Sequence, residues 1–142
     1  FISNGGLRIL GSDVNTDVLE SAIQGCYAEK FLSPIPDSFR RRYFSSESEK
    51  PNSHNQIKTE IQRLIQFRQF NLMSSEYPIA TKFQLIFCRN VLYYLKPERR
   101  ELLISKLVDH LEEGGWLVLG ITESGYRIDK MEKHSISIYQ KT

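Results

Sequence analysis

Four stretches of the sequence place polar side chains suited to chemistry at or just past the ends of apolar runs. Asp13 follows Leu7-Arg8-Ile9-Leu10-Gly11-Ser12, Asn71 closes the run from Phe67, Arg89-Asn90 follows Phe83-Gln84-Leu85-Ile86-Phe87-Cys88, and Glu123 lies three residues beyond Trp116-Leu117-Val118-Leu119-Gly120. An acid at the end of the second strand of a nucleotide-binding unit accepts hydrogen bonds from both hydroxyls of a ribose, as in dinucleotide folds. The same acid can instead stabilise its own turn or the next helix N-terminus, and for Asp13 both readings stand. An arginine and an amide together at a strand end are unusual, because turns prefer Gly or Asp there; Tyr93-Tyr94 follow within one helical turn. The ordinary reading is an arginine paired with a surface acid and tyrosines at the rim of a core. Three strand ends carrying polar groups to one edge favour a ligand site instead, since open α/β sheets bind ligands beyond the carboxyl ends of their strands.

The elements that must hold these residues are legible as an alternation. The run ending at Ser12 is read as a strand, followed by a helix that Asn15, Thr16 or Asp17 can cap, with Glu20 three residues after Asp17 as in a capping box and Val18, Leu19, Ala22 and Ile23 at helical spacing before Gly25. Pro34 and Pro36 interrupt, and Asp37-Ser38 can cap a short helix carrying Phe39, Tyr43 and Phe44. From Ser45 to Asn55 no residue is apolar, the composition of an exposed loop. Ile57, Ile61, Leu64 and Ile65 fit a helix or a strand. Phe67 to Leu72 reads as a short strand and Phe83 to Cys88 as one buried on both faces of a parallel sheet. Pro97 suits the first position of a helix whose stripe is Leu103, Leu107 and Leu111 beside Ile104 and Val108, with Gly114-Gly115 ending it. Trp116 to Gly120 is then a buried strand and Ile136 to Tyr139 a final one. Strands alternating with helices predict an open α/β sheet, with the strands ending at Ser12, Leu72 and Cys88 near one another.

At 142 residues the chain suits one domain. No apolar run approaches the roughly 20 residues that span a bilayer, so no membrane insertion is expected. A net charge of +2 is too small to suggest nucleic acid, and Arg40-Arg41-Arg42 reads as a solvated helix face. Cys26 and Cys88 have neither metal-ligand spacing nor the density of a secreted disulfide scaffold; they suit a reducing cytoplasm, and no metal is expected. The start at Phe1-Ile2-Ser3 reads as a cut or processed chain.

Gly11-Ser12-Asp13-Val14-Asn15-Thr16-Asp17-Val18-Leu19, Asn71-Leu72 and above all Ile86-Phe87-Cys88-Arg89-Asn90-Val91-Leu92-Tyr93-Tyr94 resemble the CheR chemotaxis methyltransferases, in order and spacing from about Ile9 to Ser124. The resemblance implies a Rossmann-like class I S-adenosylmethionine-dependent methyltransferase sheet lacking its first strand, with a small antiparallel subdomain inserted over residues 39–70 of a partial catalytic domain spanning 1–142. It implies S-adenosylmethionine as cofactor and S-adenosylhomocysteine as product. Asp13 would hold the ribose, Asn71 and Leu72 would lie by the adenosine, Arg89 and Asn90 would line the cofactor pocket, and Tyr94 would face the reacting methyl group. The implied reaction esterifies glutamate side chains of methyl-accepting chemotaxis receptors. The family's helical domain, first strand and glycine loop are expected upstream of Phe1, so that this fragment alone is expected to be inactive and to self-associate through exposed sheet edges. Where the family carries Gly-His-Ser-Glu after its fifth strand, this sequence has Gly120-Ile121-Thr122-Glu123. A non-catalytic binding or regulatory module, and a methyltransferase with another substrate, are the alternative readings.

Overall fold

A computed structural model describes residues 6–46, 54–123 and 125–142, in two compact units, Phe1–Asn71 and Leu72–Thr142. Residues 47–53, most of the polar stretch assigned above to a loop, lie outside the described residues.

In the first unit β1 (Ile9–Asp13) runs into α1 (Thr16–Gln24). The turn is local chemistry: Asn15 has extended backbone angles, and its side-chain oxygen accepts the N–H of Asp17 at 2.9 Å and of Val18 at 3.4 Å. The N-cap is therefore Asn15, not the Asp17 of an Asp17–Glu20 capping box. Gly25 closes the helix at φ 63°, a left-handed conformation that costs glycine little, and its N–H returns to the Ser21 carbonyl. β1 pairs in parallel with β5 (Ile65–Gln69), Gly11 opposite Phe67. A Cβ on Gly11 would sit 2.7 Å from the Phe67 ring, so the aromatic side chain lies across the bare glycine. The helix-or-strand ambiguity before Leu64 resolves as both: α4 (Thr59–Gln62) precedes β5, which ends three residues earlier than the sequence suggests.

Between them lies a three-stranded antiparallel sheet in the order β2 (Cys26–Ala28), β4 (His54–Ile57), β3 (Phe44–Ser46), with α2 (Glu29–Leu32) and α3 (Asp37–Tyr43) after β2. Phe44 is a strand residue, not part of the preceding helix. Glu29 ties the layer together: one carboxylate oxygen pairs with Arg40 and the other accepts from the buried Asn55 amide at 3.0 Å. Of the arginine run, then, only Arg41 and Arg42 are solvated as expected; Arg40 is committed to Glu29 and lies 3.7 Å from Asp37.

The second unit is a four-stranded sheet in the order β6 (Phe83–Cys88), β7 (Leu111–Leu119), β9 (Ile138–Lys141), β8 (Met131–Lys133), parallel between β6 and β7 and antiparallel elsewhere. A helix, α5 (Pro97–Asp109), connects β6 to β7 with Pro97 in its first turn. Its buried face is Leu103, Ile104, Leu107 and Val108, packed with Cys88, Leu92, Leu111, Leu117, Leu119 and Tyr139 in one core. Leu111 is in that core but not in the helix. The chain leaves the helix at His110 without a glycine, and the buried Lys141 ammonium donates to the Val108 carbonyl at 3.2 Å and the Leu111 carbonyl at 3.0 Å, satisfying oxygens at the helix end. Gly114-Gly115 do a different job from the expected one. Phe83 faces Leu111 but Leu85 faces Trp116, so extra β7 residues are looped out between these pairs, with Gly114 at φ 75° and with Gly115 approaching Phe83 so closely that a Cβ would meet its carbonyl at 3.2 Å.

Tyr139 is 1% exposed, and its hydroxyl has no hydrogen-bond partner among the described residues. Tyr139→Phe is accordingly expected to leave the unfolding free energy unchanged or raise it by about 1 kcal/mol, because it removes a buried unsatisfied group at constant ring volume; urea denaturation measures this, and a clear loss would mean that the hydroxyl is bonded in solution.

Candidate functional site

In the first unit Asp13 occupies the carboxyl end of β1, opposite Gln69. Its Oδ1 accepts the Asn15 N–H at 2.9 Å, so Asp13 does serve the turn. No described residue engages Oδ2, and the side chain is only partly buried. A carboxylate whose turn uses only Oδ1 has acceptor capacity left for ribose hydroxyls, so the two readings of Asp13 are compatible. The Phe70 N–H bonds the Asp13 carbonyl at 3.3 Å, and Asn71 follows, exposed, at the same carboxyl edge of the β1–β5 pair.

Leu72 opens the second unit, half buried against its core, and its carbonyl accepts the Tyr77 hydroxyl. The two residues predicted to lie by an adenosine are thus one on each side of the boundary between units.

The end of β6 delivers Arg89 and Asn90, both exposed, followed by a single 3-10 turn, Leu92–Tyr94. The turn is anchored by Leu92, wholly buried, and presents Tyr93 and Tyr94 outward at 71% and 82% exposure, their rings edge to face with centroids 5.6 Å apart. Tyr94 is therefore a surface ring on a fixed turn and not a core rim. Asn90 has φ 60°, a left-handed conformation uncommon outside glycine.

Glu123, marked in the sequence only by its position after a strand, is a buried member of this cluster. It is 4% exposed and accepts three backbone N–H groups, Oε2 from Asn90 at 2.7 Å and Gly120 at 3.1 Å, Oε1 from Tyr93 at 3.0 Å. A Cβ at Gly120 would lie 2.5 Å from Oε2 and 3.1 Å from the Asn90 side-chain oxygen, so the approach needs glycine. In the Gly120-Ile121-Thr122-Glu123 stretch the outer two residues make this cluster, while Ile121 and Thr122 are exposed. The departure from Gly-His-Ser-Glu falls on those exposed positions. Burial first, and the neighbouring Glu123 carboxylate second, push the Cys88 thiol up to about 11. Cys88 is therefore an inert thiol at neutral pH, not a nucleophile.

Residues 3–139 match the family of the CheR methyltransferase, SAM binding domain. The chain belongs to this family. Among curated proteins, it is 35% identical over 118 residues to the chemotaxis protein methyltransferase of Vibrio parahaemolyticus and 30% identical over 121 residues to that of Borreliella burgdorferi, covering 83% and 85% of this chain. It is also 30% identical over 118 residues to chemotaxis protein methyltransferase 2 of Pseudomonas aeruginosa. The chain spans 42% of the length of each of these relatives. The cofactor of this CheR domain is S-adenosylmethionine, and a carboxylate such as Asp13, at the end of a strand, has the chemistry to accept from ribose hydroxyls. No helix among the described residues is long and apolar enough to cross a membrane, and no cluster of His, Cys, Asp or Glu among them could hold a metal ion.

Proposed function

We propose that this chain is the cofactor-binding portion of a cytoplasmic protein-glutamate O-methyltransferase that esterifies glutamate side chains of methyl-accepting chemotaxis receptors. The observation that carries the reading is the match of residues 3–139 to the CheR methyltransferase family, beside the similarity to proteins named as chemotaxis protein methyltransferases. Asp13 binds the ribose, Asn71 and Leu72 lie by the adenosine, and Arg89 and Asn90 line the pocket. When bound, S-adenosylmethionine supplies an activated methyl group to the attacking carboxylate. That carboxylate has an ordinary pKa of about 4.3 and is ionised at neutral pH, so no residue need act as a general base. Catalysis then falls to positioning and exclusion of water, which strengthen as geometry approaches attack; Tyr94 takes this orienting and desolvating role.

The fold we propose is a single Rossmann-like sheet. Among the described residues β1 is paired only with β5 in the first unit, and β6 only with β7 in the second, so each has one open edge. Such edges favour self-association. The antiparallel sheet β2–β4–β3 is read as the inserted subdomain.

Isothermal titration with S-adenosylhomocysteine and transfer of labelled methyl to a receptor fragment test the reading in the full-length protein. Both are expected, and absence of both would refute it. Tyr94→Phe is expected to lower kcat more than cofactor affinity; lost affinity with normal turnover would rule out an orienting role for Tyr94.

A further inference from the structure

The Glu123 carboxylate is buried without a cation: among the described residues no Lys, Arg or His forms an ion pair with it. Burying a charge is costly unless it is hydrogen-bonded, and three backbone N–H groups do the solvating, as charge-assisted bonds that are shorter and stronger than neutral ones. The donors come from the residue just past β7, from the second residue past β6 and from the 3-10 turn. Asn90 meanwhile stays at φ 60°, in the left-handed region that asparagine tolerates better than most side chains. Both features converge on the segment that carries Arg89, Asn90 and Tyr94.

We propose that Glu123 is a positioning residue of the methyl-transfer site, its buried carboxylate fixing the Asn90 backbone and the Tyr93-Tyr94 turn so that Asn90 and Tyr94 are presented in one arrangement. The role rests on the methyltransferase reading above. Glu123 touches neither cofactor nor acceptor; it acts through the three amides. Gly120 is its necessary companion, because any side chain there would displace the carboxylate oxygen that both Asn90 and Gly120 share. Glutamine at position 123 keeps the shape but presents an NH2 group to at least one N–H donor, so the three-donor cluster cannot be kept.

The test compares wild-type full-length protein with Glu123→Gln and Gly120→Ala, by steady-state methyl transfer to a receptor fragment and by amide hydrogen exchange. In both variants kcat is expected to fall at least about tenfold while KM for the receptor fragment changes less than about threefold, the pattern of an interaction needed in the transition state. At least one of the Asn90 and Tyr93 amides is expected to lose protection while those of Leu107 and Leu117 in the core keep it. Unchanged kcat with lost protection would overturn the positioning role, as would amides that stay protected in Glu123→Gln, or a lower melting temperature with normal kcat per folded molecule. Should both variants fail to fold, the wild-type amides decide: Asn90, Tyr93 and Gly120 exchanging as fast as exposed loop amides would overturn the cluster, and strong protection would support it. Wild-type protein that neither binds S-adenosylhomocysteine nor transfers methyl would overturn the methyltransferase reading itself, whereas an active wild type with an unaffected Glu123→Gln overturns the positioning role alone.

Discussion

Asp13→Ala in the full-length protein is expected to weaken S-adenosylhomocysteine by about 1.5 to 3 kcal/mol, roughly 10- to 150-fold in Kd, the scale of hydrogen bonds lost to a charged group. Because Asp13 also accepts the Asn15 N–H through Oδ1, alanine removes two things at once, and stability should fall as the turn before α1 loses its acceptor. Asparagine separates them. Its carbonyl oxygen can still accept from Asn15, so unfolding free energy should stay within about 0.5 kcal/mol of wild type, while its NH2 group meets the ribose hydroxyls as a donor without charge and affinity should fall nearly as far as in alanine. Calorimetric titration and urea denaturation on the same three proteins measure both quantities. Wild-type affinity in Asp13→Asn, with lost stability in Asp13→Ala, would reduce Asp13 to a turn residue.

The largest effect on stability is expected from Leu103→Ala, about 3 kcal/mol within a usual range of 2 to 5 for a leucine wholly enclosed in a core. Leu103 has no exposure and sits between α5 and the sheet with Leu107, Leu117 and Leu119. Its neighbour Leu102 on the same helix is 49% exposed, and Leu102→Ala should cost less than about 1 kcal/mol. The contrast between adjacent leucines, read from urea midpoints with an unchanged m-value, tests the assigned face of α5; equal losses would mean that the helix is rotated from that face.

The amino-acid sequence by itself determined what depends on neighbours within a turn or two. The β1–turn–α1 unit was readable because Asn15 caps the helix through bonds to residues two and three positions on, and Gly25 ends it through Ser21. The buried face of α5 followed from spacing, and the placement of Asp13, Arg89 and Asn90 at or just past strand ends from where apolar runs stop. What only the tertiary structure decided involves partners remote in sequence. Lys141 satisfies carbonyls 33 and 30 residues earlier, so the helix end at Asp109 is completed from a remote strand as well as by the local His110 cap, without a glycine. Gly114-Gly115, a helix terminator by local logic, serves instead where β7 shifts register against Phe83. β2 and β8 are three-residue strands with no alternation long enough to register, defined by their pairing with β4 and β9. Glu123 looked like one more polar residue after a strand; its burial and its bonds to Asn90 and Tyr93, 33 and 30 residues away, come from β6 and β7 lying side by side. Local propensity acts through bonds that any conformation of a short segment can sample, whereas a buried carboxylate is tolerable only after the fold has gathered the donors that replace its water.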